Sequence, residues 1–182
     1  MKKLFATFAL VMLAVAGYAQ SQNLEPEFIG QVVLVNADST ATPLQKEIAK
    51  FKTSSSKWGW IPVPGASLLD KSKCNIVVKG TESPTKLKGG RLTFIIRAEK
   101  NDADPRTVFG VFMFEVKKKT REFQMAQAGL LSGVESTTNF NTVETKVEKY
   151  GNHSYKVTIE NAKPGQYGIA TDFVNIATFG VE

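Results

Sequence analysis

Short runs of alternating apolar and polar residues constrain this chain more than any other feature of its sequence. In residues 153–161, Tyr155, Val157 and Ile159 alternate with polar and charged residues. Because successive side chains of a strand point to opposite faces, this period of two predicts a half-buried strand. Helical periodicity is almost absent from the chain, so we expect strands to dominate the fold.

A second run, residues 107–116, is apolar on both faces, which predicts a central strand covered on each side. Three lysines follow it and predict a solvated turn, after which residues 121–127 predict the returning strand of a hairpin. The other predicted strands share β-branched and aromatic residues bounded by turn residues: 29–36, 74–79, 91–98, 140–148, 167–172 and 173–181. Residues 42–51 fit either a short helix that begins at Thr42 and Pro43 or a strand.

The number and spacing of these runs predict the fold class. About eight to ten short strands at intervals of roughly 8 to 15 residues, with little or no helix, indicate an all-β chain folded as an antiparallel β-sandwich. Residues 162–167 form a turn through Pro164 and Gly165 that leads to Tyr167. This segment resembles the tyrosine corner of immunoglobulin-like and fibronectin-like domains, in which the hydroxyl bonds to the backbone between two sheets. The resemblance implies an immunoglobulin-like sandwich with a structural role for Tyr167.

The N-terminus has the pattern of an export signal. Two lysines precede an apolar run over residues 4–16, and Gly17 and Ala19 follow as the two small residues of a cleavage site. This pattern is typical of a cleaved secretory signal peptide, here residues 1–19, and the run is shorter than the roughly 20 residues that cross a bilayer. Lipid attachment needs a cysteine directly after the cut, whereas the single cysteine is Cys74. We expect a periplasmic or secreted protein that is not a lipoprotein and has no transmembrane anchor after cleavage.

Residues 20–182 are then long enough for one β-sandwich domain, with residues 20–65 left open as an N-terminal extension packed on the core. The lone Cys74 cannot form an internal disulfide and is expected to be a strand residue. The single histidine, His153, lies in a turn and suggests neither a zinc centre nor a catalytic triad. No catalytic residue and no cofactor are indicated. Asp102 and Asp104 are a weak calcium candidate or ordinary turn residues.

Charge is distributed unevenly along the chain. Residues 46–121 contain seventeen basic and seven acidic residues, which predicts either one electropositive surface or lysines that keep strand faces soluble. Two tryptophans lie in the same region and either stack on a ligand or plug one end of the sandwich. The candidate ligand-binding residues are therefore Trp58, Trp60, Lys117, Lys118, Lys119 and Arg121.

A three-residue segment, Asp38, Ser39 and Thr40, resembles the O-glycosylation site of periplasmic proteins of Bacteroidota, with Ser39 and Thr40 as candidate acceptors. Five segments together resemble small secreted β-sandwich proteins of Bacteroidota: residues 17–20 at the end of the signal, residues 26–33, the loop at Asp104 and Pro105 before an aromatic strand, the corner at Tyr167, and residues 178–182. The resemblance implies export and brings no catalytic motif with it.

These features favour a non-enzymatic exported protein that binds an anionic glycan, an anionic cell surface or a protein partner. Nucleic acid is not expected as a partner, because export separates the protein from it. A hydrolase with unidentified carboxylates and a structural subunit that docks by strand addition remain as alternatives. The sequence leaves the oligomeric state open.

Overall fold

The computed structural model describes residues 23–53, 74–125 and 143–182, and these residues form twelve strands and one helix of a single turn. The strands are β1 (Val32–Val35), β2 (Ala41–Pro43), β3 (Lys46–Thr53), β4 (Cys74–Lys79), β5 (Lys86–Leu87), β6 (Gly90–Arg97), β7 (Gly110–Val116), β8 (Thr120–Met125), β9 (Lys146–Tyr150), β10 (Ser154–Ala162), β11 (Gly165–Ala170) and β12 (Asn175–Val181), and the helix is α1 (Pro105–Val108). The prediction of an all-β chain with antiparallel sheets is confirmed. Within the described ranges, no helix is long and apolar enough to cross a membrane.

The larger sheet closes into a barrel. Its six strands follow the order β11, β7, β8, β4, β3 and β12, and β12 pairs back onto β11 from Gly165↔Val181 to Ile169↔Ala177. The short strand β5 adds to β12 in parallel, which is the one parallel pairing among the described strands. Because the larger sheet closes on itself, the predicted immunoglobulin-like sandwich is not confirmed.

The smaller sheet has five antiparallel strands in the order β2, β1, β6, β10 and β9. Its inner face, which includes Phe94 and Val157, packs against the outer wall of the barrel formed by β7, β11 and β12. Phe179 from that wall lies 5.0 Å from the ring of Phe94 and 5.0 Å from the ring of Tyr167, measured between centroids. This layer is the larger of the two hydrophobic cores.

The second core fills the barrel. Phe112 and Phe123 stack with their ring centroids 4.1 Å apart, and aliphatic residues such as Ile76 and Ile176 surround them. Strand β7 serves both cores, since Val111 faces the five-stranded sheet while Phe112 faces the barrel interior. The prediction of a central strand covered on both faces is therefore confirmed for β7.

The passage from the small sheet to the barrel occurs at the predicted corner. Strand β10 belongs to the five-stranded sheet and β11 to the barrel, and the chain turns between them at Lys163 and Pro164. The buried hydroxyl of Tyr167 donates to the carbonyl oxygen of Lys163 at 2.6 Å. The tyrosine thus bonds to the backbone at the point where the chain changes sheets.

Of the two alternatives for residues 42–51, the structure has the strand, in the end of β2 and in β3. Strand β3 alternates inward residues such as Ala49 with exposed lysines and so follows the period of two. The strand predicted from residue 107 begins instead at Gly110, because Asp104 caps the short helix α1 by accepting from the amide of Arg106 at 3.0 Å.

Residues 32–53 supply strands to both sheets. Strand β1 pairs with β6 in the small sheet, while β3 pairs with both β4 and β12 in the barrel. The predictions for the export signal over residues 1–19, for Trp58 and Trp60, and for residues 140–142 of the strand 140–148 lie outside the described residues.

Candidate functional site: the basic end of the barrel

Three connections meet at one end of the barrel. The turn after β7 and the loop after β4 are joined by a hydrogen bond from the amide of Gly80 to the carbonyl of Lys119 at 3.0 Å. The same loop reaches β11, because the amide of Ser83 donates to Oε1 of Gln166 at 2.7 Å. We call this region, residues 79–88, 115–121, 163–166 and 178–182, the basic end.

Exposed lysines outnumber exposed carboxylates at the basic end. The lysines are Lys79, Lys86, Lys88, Lys117, Lys118, Lys119 and Lys163, against Glu82, Glu115 and Glu182. Lys86 lies 2.9 Å from Glu182 and 3.1 Å from Glu82, and hydrogen bonding to these two carboxylates raises the pKa of Lys86. Lys117 pairs with Glu115. The other five lysines make no ion pair with a residue of the described ranges, so the basic end keeps a net positive charge.

Arg121 does not join these lysines at the surface, although the sequence placed it among the ligand-binding candidates. Its side chain is fully buried inside the barrel, where Nη2 donates to both carboxylate oxygens of Glu47 at 2.8 and 2.7 Å. Nε donates to the carbonyl of Gly80 at 3.2 Å, and Nη2 also reaches the carbonyl of Lys79 at 3.2 Å. The sequence held a signal for this burial, because Arg121 lies in register with Phe123 and Met125 on the inward face of β8.

The ion pair continues into a buried network of hydroxyl and amide groups. The hydroxyl of Thr178 donates to the carboxylate of Glu47, and it lies 2.9 Å from Oγ of Ser83. We call Glu47, Ser83, Arg121, Gln166 and Thr178 the polar cluster. Sequence reasoning missed its members other than Arg121, because they come from four separate parts of the chain. The polar cluster holds the loop after β4 across the end of the barrel, directly beneath the exposed lysines.

The opposite end of the molecule carries the opposite charge. Strands β7 and β11 connect the two ends, since each has one terminus at the basic end and one at the other. Hydrogen bonds bring the far-end segments together: Thr171 Oγ1 donates to Gly30, Tyr155 to Ala103, and the amide of His153 to Glu25. The charged residues of these segments are Glu25, Glu27, Glu99, Asp102, Asp104 and Asp172, against Arg97, Lys100 and Arg106. Of the basic residues in the range 46–121, one group lies at the basic end, whereas Lys46, Lys50 and Lys52 lie along the outer face of β3.

The acidic residues of this far end have structural partners. Glu25 Oε1 accepts from the amide of His153 at 2.9 Å, from the hydroxyl of Ser154 at 2.9 Å and from Nη1 of Arg97 at 3.1 Å. Asp104 caps α1, as described above. Among the described residues, which include the calcium candidates Asp102 and Asp104, no three histidine, cysteine, aspartate or glutamate side chains are grouped closely enough to hold a metal ion.

The candidate glycosylation residues lie in the exposed turn between β1 and β2. Ser39 adopts a φ of 64°, and Asp38 Oδ1 accepts from the amide of Thr40 at 3.0 Å and from its hydroxyl at 2.6 Å. These hydrogen bonds lower the pKa of Asp38. The hydroxyl of Thr40 is thus held by a neighbouring carboxylate, whereas the exposed Ser39 lies at the tip of the turn.

The five-stranded sheet has two edge strands. In the described part of the chain, β2 pairs only with β1, and β9 pairs only with β10. Strand β2 ends at the exposed Pro43, and β9 exposes Lys146, Glu148 and Lys149. Proline and closely spaced charges are devices that oppose strand addition, so these edges weigh against docking by that route.

The fold and this site define an antiparallel β-barrel with a five-stranded sheet packed on one wall and a lysine-rich end closed by buried polar residues. No family model, no curated protein and no solved structure matches the chain.

Proposed function

We propose that the protein is exported by a cleaved signal over residues 1–19 and acts as a non-enzymatic binding protein for an anionic polymer. The partner would be an acidic glycan or an anionic cell surface, and the basic end would be the contact surface. The observation that carries the proposal is the group of five exposed lysines without ion pairs among the described residues: Lys79, Lys88, Lys118, Lys119 and Lys163.

The arrangement of these lysines suits a polymer better than a small molecule. Lys118 and Lys119 lie on a tight turn, and Lys79 lies on the adjacent strand, where Lys79 pairs with Thr120. An array of separated point charges on a surface matches a chain of repeated negative charges, whereas a small ligand needs a concave pocket with convergent polar groups. The hydrogen bond between Gly80 and Lys119 fixes the turn relative to the loop, which reduces the ordering cost of binding.

The separation of charge between the two ends also supports this orientation. An anionic surface attracts the lysine-rich end and repels the end that carries Glu27, Glu99 and Asp102. Such a field orients the protein before contact and increases the association rate at low ionic strength.

Titration of the purified protein with an acidic polysaccharide, polygalacturonate, tests the proposal. We expect binding at about 0.1 M salt that is lost at about 1 M, where the screening length falls from about 10 Å to about 3 Å. The variant Lys117→Gln/Lys118→Gln/Lys119→Gln should bind roughly five- to a hundredfold more weakly. The matched control is Lys146→Gln/Lys149→Gln/Lys156→Gln, which removes the same formal charge from β9 and β10.

The control variant distinguishes binding at the basic end from attraction by the net charge of the whole protein. If the two triple variants lose affinity equally, the basic end is not the contact surface. If the unmodified protein binds with an affinity that does not change with salt, the electrostatic basis of the proposal is wrong.

A further inference from the structure

Four of the five large apolar side chains that are well exposed in the described residues lie around one region of the surface. Phe28 is 64% exposed and Ile29 70%, both in the turn before β1, and Ile48 on β3 is 71% exposed. Val174, in the connection before β12, is 37% exposed. We call Phe28, Ile29, Ile48 and Val174 the apolar patch.

Contacts of the polypeptide bring these residues into the same neighbourhood. A Cβ atom built on Gly30 would lie 3.1 Å from the hydroxyl of Thr171 and 3.4 Å from the ammonium of Lys46. The turn that carries Phe28 and Ile29 therefore borders both β3 and the loop after β11. On the other side of that loop, the amide of Ala49 donates to the carbonyl of Val174 at 2.8 Å, next to Ile48.

The turn that exposes Phe28 and Ile29 is well ordered by hydrogen bonds. The amides of Glu27 and Phe28 both donate to Oε1 of Gln31, at 3.1 and 3.2 Å, and the amide of Gln31 donates to the carbonyl of Phe28 at 3.0 Å. Gly30 has a φ of 77°, a conformation that glycine adopts without strain. Two adjacent apolar side chains are thus presented to solvent on a preorganised turn, as in the anchor residues of protein interfaces.

Ile48 is an exposed apolar residue among the lysines on the outer face of β3. The outward positions of β3 are Lys46, Ile48, Lys50 and Lys52. An exposed isoleucine between lysines gives an apolar centre with a charged rim, which is the composition of a contact surface.

Charges of both signs surround the apolar patch. Lys46 and Lys50 flank Ile48, while the exposed Glu27 adjoins Phe28 and the exposed Asp172 precedes the connection to Val174. A partner of one charge sign would be repelled by one of the two signs of charge around the apolar patch. A second copy related by a two-fold axis offers carboxylates to the lysines and lysines to the carboxylates.

We propose that the apolar patch is a self-association surface through which two copies of the chain form a two-fold symmetric dimer. The turn of Phe28 and Ile29 from one copy packs near Ile48 of the other, and the reciprocal contact forms across the axis. Lys46 of each copy then approaches Glu27 of its counterpart. The proposal rests on the exposed apolar side chains and does not depend on polymer binding by the exposed lysines.

Sedimentation velocity of the purified protein over a range of concentrations tests the proposal. We expect a monomer–dimer equilibrium that Ile48→Lys weakens roughly tenfold or more, because each substitution occurs twice in a symmetric dimer. Val116→Lys is the matched control, since it places the same charge on another exposed aliphatic residue of the barrel, 48% exposed at the basic end. This control should leave the dimer unchanged.

A charge exchange tests the two-fold arrangement directly. Lys46→Glu should weaken the dimer, and adding Glu27→Lys should restore it, because the two residues meet across the axis. Equal effects of Ile48→Lys and Val116→Lys would overturn the proposed surface.

A monomer at every concentration up to about 1 mM, the range of weak association, would overturn the dimer itself. Vesicles of phosphatidylglycerol and phosphatidylethanolamine then identify a membrane as the alternative occupant. A monomer that sediments with the vesicles, and loses this property in Phe28→Ser/Ile29→Ser, would assign the apolar patch to a lipid surface instead.

Discussion

Removal of the carboxylate of Glu47 is the sharpest test of the polar cluster. Glu47→Ala leaves the guanidinium of Arg121 buried in the barrel without its counter-ion. Loss of one member of a buried ion pair typically costs about 3–5 kcal/mol, because the remaining charge is neither solvated nor paired. We therefore expect Glu47→Ala to lower the free energy of unfolding by an amount in that range.

The geometry predicts that loss of Glu47 costs more stability than loss of Arg121. The side chain of Arg121 is 0% exposed, whereas that of Glu47 is 23% exposed. After Glu47→Ala, Arg121 keeps only the carbonyls of Lys79 and Gly80 as acceptors, and its Nη1 atom is already buried without a partner in the described structure. After Arg121→Met, the remaining carboxylate still has the hydroxyl of Thr178 and access to water, so the expected loss is smaller, about 1–3 kcal/mol.

Urea unfolding followed by far-ultraviolet circular dichroism measures both losses. The double variant Glu47→Ala/Arg121→Met removes the uncompensated charge together with its partner and should recover part of the loss, with a coupling energy of about 1–3 kcal/mol. The matched control is the exposed pair Lys146 and Glu148, 2.8 Å apart, for which no measurable coupling is expected. Equal slopes with urea would show that the variants change stability rather than the extent of unfolding.

Strict additivity of the two substitutions would refute the ion pair as a coupled unit. A larger loss for Arg121→Met than for Glu47→Ala would refute the argument from unequal burial.

Three further predictions follow from other contacts. Gly168→Ala should lower the free energy of unfolding by about 1–3 kcal/mol in urea titrations, because the added Cβ would lie 2.8 Å from the ring of Phe112 inside the barrel. An unchanged free energy of unfolding would show that the barrel interior can expand. Burial raises the pKa of Tyr155 and Tyr167, so the folded state favours their protonated hydroxyls. The free energy of unfolding should therefore fall as the pH rises above about 10, and it should fall less in Tyr155→Phe/Tyr167→Phe. Equal pH profiles for the two proteins would contradict this. Glu25→Ala should increase amide hydrogen exchange in residues 23–31, because three donors lose their shared acceptor, and unchanged protection there would show that other contacts hold the segment.

The positions of the strands could be predicted because each strand carries its own pattern. Strand β4 was predicted with its observed bounds, and β10 differs from its predicted range by one residue at each end. The prediction that β10 is half-buried is wrong, because Ser154 and Thr158 on its second face are buried as well. Ser154 bonds to Glu25 from a distant part of the chain, a contact that the pattern of β10 alone does not show.

Closure of the barrel depends on pairings between strands that are far apart in sequence. The period of two is the same in an open sandwich and in a closed barrel, so it does not distinguish them. One signal did bear on closure. On β11, the inward Gly168 leaves room for the rings of Phe112 and Phe114 from β7, and on β12 Gly180 leaves room for the side chain of Gln166. Small residues facing large ones are a feature of narrow barrels, and they become recognisable once the strand order is known.

Part of the candidate site was likewise visible in the sequence. The three lysines after β7 were predicted as a solvated turn, and residues 117–119 do connect the paired strands β7 and β8. The carboxylate-rich end opposite the basic end could not be predicted. It is assembled from segments around Glu25, Glu99 and Asp172 that approach one another only in the folded chain.

The polar cluster and the exposed lysines are linked, and this link gives a prediction that opposes simple electrostatics. Glu47→Ala removes a negative charge near the basic end, so charge alone predicts tighter binding of an anionic polymer. However, the Glu47 carboxylate holds the guanidinium of Arg121, which in turn holds the carbonyls of Lys79 and Gly80.

Loss of the carboxylate should therefore release the loop and spread the lysines over more conformations, which increases the ordering cost of binding. We expect polygalacturonate to bind Glu47→Ala more weakly than the unmodified protein, measured at low temperature and without urea so that the variant is folded. Lys52→Ala/Glu122→Ala, which removes a pair 3.9 Å apart on the outer face of the barrel, is the control and should bind as the unmodified protein does. Tighter binding by Glu47→Ala would mean that net charge, rather than the fixed geometry of the basic end, determines the affinity.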